Sequence, residues 1–294
     1  MENKRSSAAL GMTSPIAKRG IVGLGASPAP LDIAVNVALP AITDHFALAL
    51  SDVQWLVVCY VLVYGSLMLV CGKMGDLVGH RLIFRAGLVV TAVACVACAI
   101  APDWPMFLLA RTVQGVGTAL ALACTPALAI AVYPPAQRVK ALAGYAMSMS
   151  LAATVGPFLG GILVDMWDWQ AVFWVRVPIA LLALSLSGAL PSSHTQSRHF
   201  DLLGAILLAA SIGMLLLVLV LSQRPTASGW MALSLLVVGS VLLHRYVMRS
   251  LNSAEPIIRP ELFADAEFTI PNVMNAMANL AGFAILLLTP YYLM

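Results

Sequence analysis

Residues 105–133 read PMFLLARTVQGVGTALALACTPALAIAVY. Arg111 is the single formal charge in this stretch; every other side chain is apolar, small or neutral. About 20 apolar residues are enough for a helix to cross roughly 30 Å of hydrocarbon, so the stretch predicts a membrane-spanning helix. Polar and apolar residues do not alternate along it, which argues against a barrel strand, and in lipid a lone segment must satisfy its own backbone groups. Arg111 is the anomaly. A guanidinium inside hydrocarbon costs at least a few kcal/mol, so it is expected to face a cavity or a partner; the alternative is that it snorkels to an interface.

Working outward, eight further runs carry the same signal: 20–42, 53–72, 82–101, 139–164, 170–190, 202–222, 229–248 and 269–293. Nine spans predict an all-α polytopic membrane protein. Composition agrees: 61% of residues are hydrophobic and 10% charged, against about 25% charged in a soluble domain. The mean hydropathy is +0.93. These values exclude a soluble enzyme, a nucleic-acid module and a disordered chain, and no nucleic-acid partner is expected. The net charge of +3 is too small to suggest one. No metal cluster, nucleophile triad or phosphate loop is visible, so neither an enzyme nor a resident metal or cofactor is expected. Cys59, Cys71, Cys95, Cys98 and Cys124 all lie in apolar runs and read as small buried thiols. Lys18 and Arg19 precede only a short apolar stretch before Pro28 and Pro30, so the N-terminus does not read as a secretory signal. Those prolines, with Asp32, Asn36 and Pro40, make the first run a poor span alone; it needs neighbours to satisfy freed backbone groups.

The cations set the orientation. Arg111 and Arg176 fall within spans, and alternate connections divide the other fourteen of the sixteen Lys and Arg unevenly. One set holds Lys4, Arg5, Lys18, Arg19, Lys73, Arg81, Arg85, Arg138, Lys140, Arg198, Arg245, Arg249 and Arg259; the other holds Arg224. By the positive-inside rule the N-terminus is cytoplasmic, in a multi-pass plasma (inner) membrane protein. Trp55, Trp104, Trp167, Trp169, Trp174 and Trp230 all fall near the opposite ends, as interface anchors.

Depth links two charges. Asp32 stands twelve residues into an outward-running span, about 18 Å from the inner side, and Arg111 lies about 21 Å from it. Equal depth allows pairing or a shared cavity; the alternative for Asp32 is a structural carboxylate serving the proline-broken backbone. Arg176 lies at similar depth, but with Trp169 and Trp174 beside it the expected reading is a snorkelled interfacial arginine. On the fifth span Gly144, Ser148, Ala152, Gly156 and Gly160 form a stripe of small side chains, which permits close backbone approach. Pro157 favours a bend there. Gly115, Ala119 and Ala123 repeat the device on the face of Arg111. In the connection Gly72–Arg81, Gly72, Gly75 and Gly79 permit a tight turn, and Asp76 can accept from helix amides or pair with a cation.

Together these motifs resemble the major facilitator superfamily, and within it the 14-span drug:proton antiporter branch, over roughly residues 30–290. Residues 31–40, LDIAVNVALP, are similar to that branch's first-span motif LDxTxVNVALP. Residues 72–81 resemble the loop motif GxLaDrxGrk, Arg111 to Gly117 the fourth-span motif RxxQGxG, and Gly156 to Gly161 the GPxxGG core of the antiporter motif. Ala34, Leu77, His80, Ala152 and Arg176 depart from the usual Thr, two basic residues, Gly and Asn. The resemblance implies a six-helix domain over 1–191 (cytoplasmic tail 1–19), a two-span insert over 192–267, and the first span of a truncated C-terminal domain over 268–294. The missing half would be needed for function. It implies proton-coupled antiport, that is efflux, of small organic or cationic compounds by alternating access, driven by the proton gradient without a cofactor. Asp32 would serve coupling or cation recognition and Arg111 proton coupling, with Asn36 and Gln114 beside them on the proton and substrate path. Gly72, Gly75, Asp76, Gly79 and Arg81 would gate the cytoplasmic face, and Gly156, Pro157, Gly160 and Gly161 would form the antiporter bend. The alternatives are an exporter of an endogenous metabolite, or a truncated membrane fragment that transports nothing.

Overall fold

The computed structural model describes residues 20, 23, 30–191, 200–222, 229–253 and 256–293. All regular structure among them is helical. The long helices are α1 (Ala34–His45), α2 (Trp55–Val78), α3 (His80–Ala99), α4 (Trp104–Ala131), α5 (Arg138–Trp167), α6 (Arg176–Leu186), α7 (Leu202–Leu221), α8 (Gly229–Leu251) and α9 (Ala266–Leu293). Seven stretches among the described residues are long and apolar enough to cross a membrane; they contain α2 to α8.

The seven are counted among the described residues alone, and the first and ninth runs are described only in part. Residues 20 and 23 of the first run are helical. From Pro30 onward the run is a 3-10 turn, Pro30–Ile33, followed by the 12-residue α1, about 18 Å long. Residues 21, 22 and 24–29 lie outside the described residues. The ninth run forms a helix, α9, on which Asn272, Asn275 and Asn279 are exposed.

Helix α4 is the axis on which the others are placed. It starts at Asp103, whose side chain accepts from the Met106 amide at 2.9 Å, with Pro105 in the first turn where no donor is lost. Its small residues let two neighbours approach to backbone distance. A Cβ at Gly117 would stand 2.6 Å from the Thr91 nitrogen on α3, and one at Gly115 would stand 2.8 Å from the Tyr60 carbonyl oxygen on α2. Between helices in lipid such close packing replaces the hydrophobic drive that water would provide. Helix α6 lies on α3, and α5 lies on α1 and its preceding turn. Helix α7 packs along α2 and carries α8 on its other side; Gly239 of α8 faces Met214 and Leu215. Two buried clusters follow: Ile42, Leu56, Phe107, Trp169 and Phe173 at the Trp104 end, and Phe84, Leu88, Cys124, Leu128 and Leu190 at the Gly79 end.

The α7–α8 pair is pinned at its polar end. Asp201 caps α7 by accepting from the Gly204 amide at 2.9 Å and pairs with Arg249 of α8 at 2.9 Å. The Arg249 hydrogen bonds hold the Asp201 carboxyl below its ordinary value of 3.8. A depressed carboxylate stabilises the fold above its unfolded value, and that contribution is lost as pH falls through the folded one. Asp201→Ala is therefore expected to cost about 1 kcal/mol at neutral pH. In thermal melts the gap between variant and wild type should close as the pH drops below 3.8.

Candidate functional site

The 3-10 turn before α1 aims the Asp32 carboxylate at α4 and at the start of α6. Arg111 takes it in a fork, Nη1 donating to Oδ1 and Nη2 to Oδ2, both at 2.8 Å. Arg176 donates from Nη1 to the same Oδ1 at 2.6 Å, and Gln114 donates from Nε2 at 3.2 Å. Arg111 and Gln114 are three residues apart on one helix face, and Arg111 Nη1 also donates to Gln114 Oε1 at 2.8 Å. Arg111 Nε donates to the Leu56 carbonyl at 3.2 Å. The Tyr60 ring lies 4.5 Å from the Arg111 guanidinium, and Phe173 lies 5.9 Å from both guanidinium groups. A planar fork on a carboxylate is among the strongest ion-pair geometries, and the aromatic faces add a favourable quadrupole.

The structure thus brings together Asp32, Arg111 and Gln114, and it corrects the reading of Arg176. Arg176 does not snorkel: its side chain is 1% exposed and ends on Asp32. The reason is a counter-charge in reach, which is worth more than the route to an interface. Two arginines and one ionised carboxylate leave a formal charge of +1 on the buried cluster. Arg176 Nη2 has no hydrogen-bond partner among the described residues. Asn36, one turn beyond Asp32, is exposed and takes no part in the hydrogen bonds to the carboxylate.

Aromatic rings close the cluster at the Trp104 end. Phe173 meets Phe107 edge-on at 5.6 Å and Trp169 at 6.1 Å, Trp104 stacks on Phe107, and Phe46 of the α1 C-terminus joins them. Trp169 is 1% exposed, so it is a core residue and not an interface anchor; the rings from three segments cover it. Trp230, at 82% exposure, does sit where a lipid interface could take it.

The stripe on α5 meets the turn that holds Asp32. A Cβ at Gly160 would lie 2.9 Å from the Ala34 Cβ and 3.0 Å from its carbonyl oxygen. Gly161 is looser, 4.0 Å from Val37. Gly156 is buried, and α5 continues as one helix through Pro157. In the 72–81 connection, Gly79 has φ of 106°, in the left-handed region that favours glycine, and donates to the Gly75 carbonyl at 2.9 Å. A Cβ at Gly75 would press on Cys124 Sγ at 2.8 Å, whereas Gly72 faces open space. Asp76 lies 3.2 Å from His80 Nε2. Arg81 donates to the Leu190 carbonyl at 3.0 Å and to Gly188 at 3.4 Å, tying this connection to the turn after α6.

Three contributors escaped the sequence reading. Arg176 left a signal, the shared depth with Asp32 and Arg111, which the neighbouring tryptophans masked. Tyr60 and the Leu56 carbonyl left none, because a backbone acceptor and one tyrosine in an apolar run carry no motif. All five cysteines are free, and the Cys95 thiol lies beside Arg176.

Residues 24–243 match the family model described as Major Facilitator Superfamily. Multidrug resistance protein Stp of Mycobacterium tuberculosis is 30% identical over 278 residues, covering 92% of this chain and 51% of that protein. The methylenomycin A resistance protein of Bacillus subtilis is 30% identical over 269 residues, covering 90% and 57%. Among solved structures, the proton:xylose symporter XylE superposes with a TM-score of 0.54 at 14% identity, over 80% of this chain and 56% of that one. The chain spans about half the length of the curated relatives it matches.

Proposed function

The chain belongs to the major facilitator superfamily, and we propose that it serves proton-coupled antiport, exporting small organic compounds across the plasma membrane by alternating access. The names of its relatives, a multidrug resistance protein and an antibiotic resistance protein, support the substrate class. The positive-inside distribution supports a cytoplasmic N-terminus.

The observation that carries the proposal is the Asp32–Arg111 fork, a buried ion pair joining α1 to α4. A transporter couples two ligands only if its conformations bind them differently. Protonating Asp32 removes the charge that holds the fork and releases Arg111 and Arg176 together. Rejoining it expels the proton. The groups facing this carboxylate are Arg111, Arg176 and Gln114, with Tyr60, Cys95 and Cys98 around them. Reorganising that cluster shifts α1 against α4 and α6, the kind of bistable contact by which helices rock around a central site.

The test uses the full-length protein in everted vesicles, with a neutral probe (chloramphenicol) and a cationic one (ethidium). Wild type should accumulate at least one of them when a proton gradient is imposed. Asp32→Asn and Arg111→Ala should each lower that rate by at least about tenfold at equal expression, the loss of a transition that needs a charge-assisted bond. Full gradient-dependent transport in both variants would refute the assignment.

A further inference from the structure

Arg176 makes the buried cluster chemically unlike a plain carboxylate–arginine pair. The Asp32 carboxylate is the acceptor that a cationic substrate would seek, yet Oδ1 already takes three donors, from Arg111, Arg176 and Gln114, and Oδ2 takes the second arm of the Arg111 fork. The Arg176 guanidinium comes from the start of α6, whereas the fork comes from α4. It is the second cation on a carboxylate that Arg111 alone already neutralises. A substrate cation would have to displace it and enter a cluster that carries +1, where like charge is repelled at low dielectric. On its other edge Arg176 Nη2 is buried and has no hydrogen-bond partner among the described residues. The Cys95 thiol beside Arg176 is a poor acceptor. A buried N–H without a partner costs about 1–3 kcal/mol, which an incoming acceptor oxygen recovers.

We propose that Arg176 is a specificity-determining residue: it holds the place on Asp32 that a cationic substrate would take and offers its free edge to an acceptor oxygen of a substrate without positive charge. This rests on the transport reading and narrows its substrate class to compounds with carbonyl, carboxyl or similar oxygens. A site built around an unpaired donor discriminates strongly against ligands that cannot accept from it.

The experiment measures gradient-driven transport of chloramphenicol, ethidium and the permanent anion benzenesulfonate by the full-length protein in everted vesicles. Three forms are compared: wild type, Arg176→Asn and Arg176→Lys, each checked for a monodisperse elution profile. Wild type should move chloramphenicol or benzenesulfonate in preference to ethidium; which of the two moves faster tells a neutral from an anionic oxygen. Arg176→Asn should change the ethidium-to-chloramphenicol ratio by about tenfold or more in favour of ethidium. Arg176→Lys keeps the charge and should keep ethidium out. A purely structural Arg176 would lower all rates together and leave that ratio fixed, which would overturn the inference, as would wild-type transport of ethidium on a par with chloramphenicol. If wild type moves none of the three, the transport reading itself fails, and the inference with it.

Discussion

Asp32→Ala is expected to destabilise the protein more than the loss of either arginine that binds it. The variant leaves the Arg111 and Arg176 guanidiniums buried with a charge of +2 and no counter-ion, and strands the donors that now meet at 2.6–2.8 Å. Breaking a buried pair from one side costs about 3–5 kcal/mol, because the desolvated partner stays behind. For a chain of this size that is a fall in the melting midpoint of roughly 10 °C. The arithmetic of charge sets the order of the other variants. Arg176→Met leaves a neutral Asp32–Arg111 fork and removes the unpartnered donor, so its cost should be the smallest. Arg111→Ala also leaves a neutral pair, but Arg176 then grips one oxygen alone, and Gln114 and the Leu56 carbonyl each lose a bond. Asp32→Ala combined with Arg176→Met lowers the buried charge to +1 and should recover part of the loss. Thermal unfolding of the four variants in the full-length protein checks this order. A midpoint for Asp32→Ala within a degree or two of wild type would mean that water, not the arginines, is the main partner of the carboxylate.

The residues that made this site legible are those with a physical cost. Asp32 and Arg111 stood out because a charge in an apolar run must be compensated, and a rise of about 1.5 Å per residue placed them at one depth. The helical architecture followed from the same apolar runs, and seven of the nine appear within stretches able to span. What was not legible depended on context from other segments. In the first run the apolar pattern does not reveal the 3-10 turn Pro30–Ile33 that carries Asp32. Arg176 and Trp169 looked interfacial because aromatic and cationic side chains share that habit; only the fold reveals that Asp32 and three aromatic segments surround them. The 72–81 connection split likewise. Gly75 and Gly79 are needed for close approach and for a positive φ, whereas the surroundings of Gly72 ask for no glycine.

The small-residue stripe on α5 allows a second large effect to be argued, at a position that touches none of the charged groups. Gly160→Leu would place a branched side chain where Ala34 Cβ stands 2.9 Å, its carbonyl oxygen 3.0 Å and its Cα 3.1 Å from a mere Cβ. Two of those three atoms are backbone, which no rotamer change can move aside. Helix α5 must then retreat or the start of α1 must shift, and Asp32 lies two residues before Ala34, in the 3-10 turn that leads into it. Overpacking of this kind costs about 1–3 kcal/mol, which a protein of this size can survive. The ion pairs are less tolerant. Hydrogen bonds of 2.6–2.8 Å weaken steeply once the carboxylate moves by more than a few tenths of an ångström. Gly160→Leu is therefore expected to fold, with a midpoint lowered by a few degrees, yet to lose at least about tenfold of its gradient-driven transport. Gly161→Leu is the comparison at the neighbouring glycine of the same motif: a Cβ there would meet Val37 at 4.0 Å and not Ala34, so it should leave Asp32 in place and lose less transport than Gly160→Leu. Equal losses in the two variants would show that α5 needs small side chains for packing in general and that the contact with Ala34 does not position Asp32. A selective loss in Gly160→Leu would show that the glycine acts on the carboxylate through the backbone of α1.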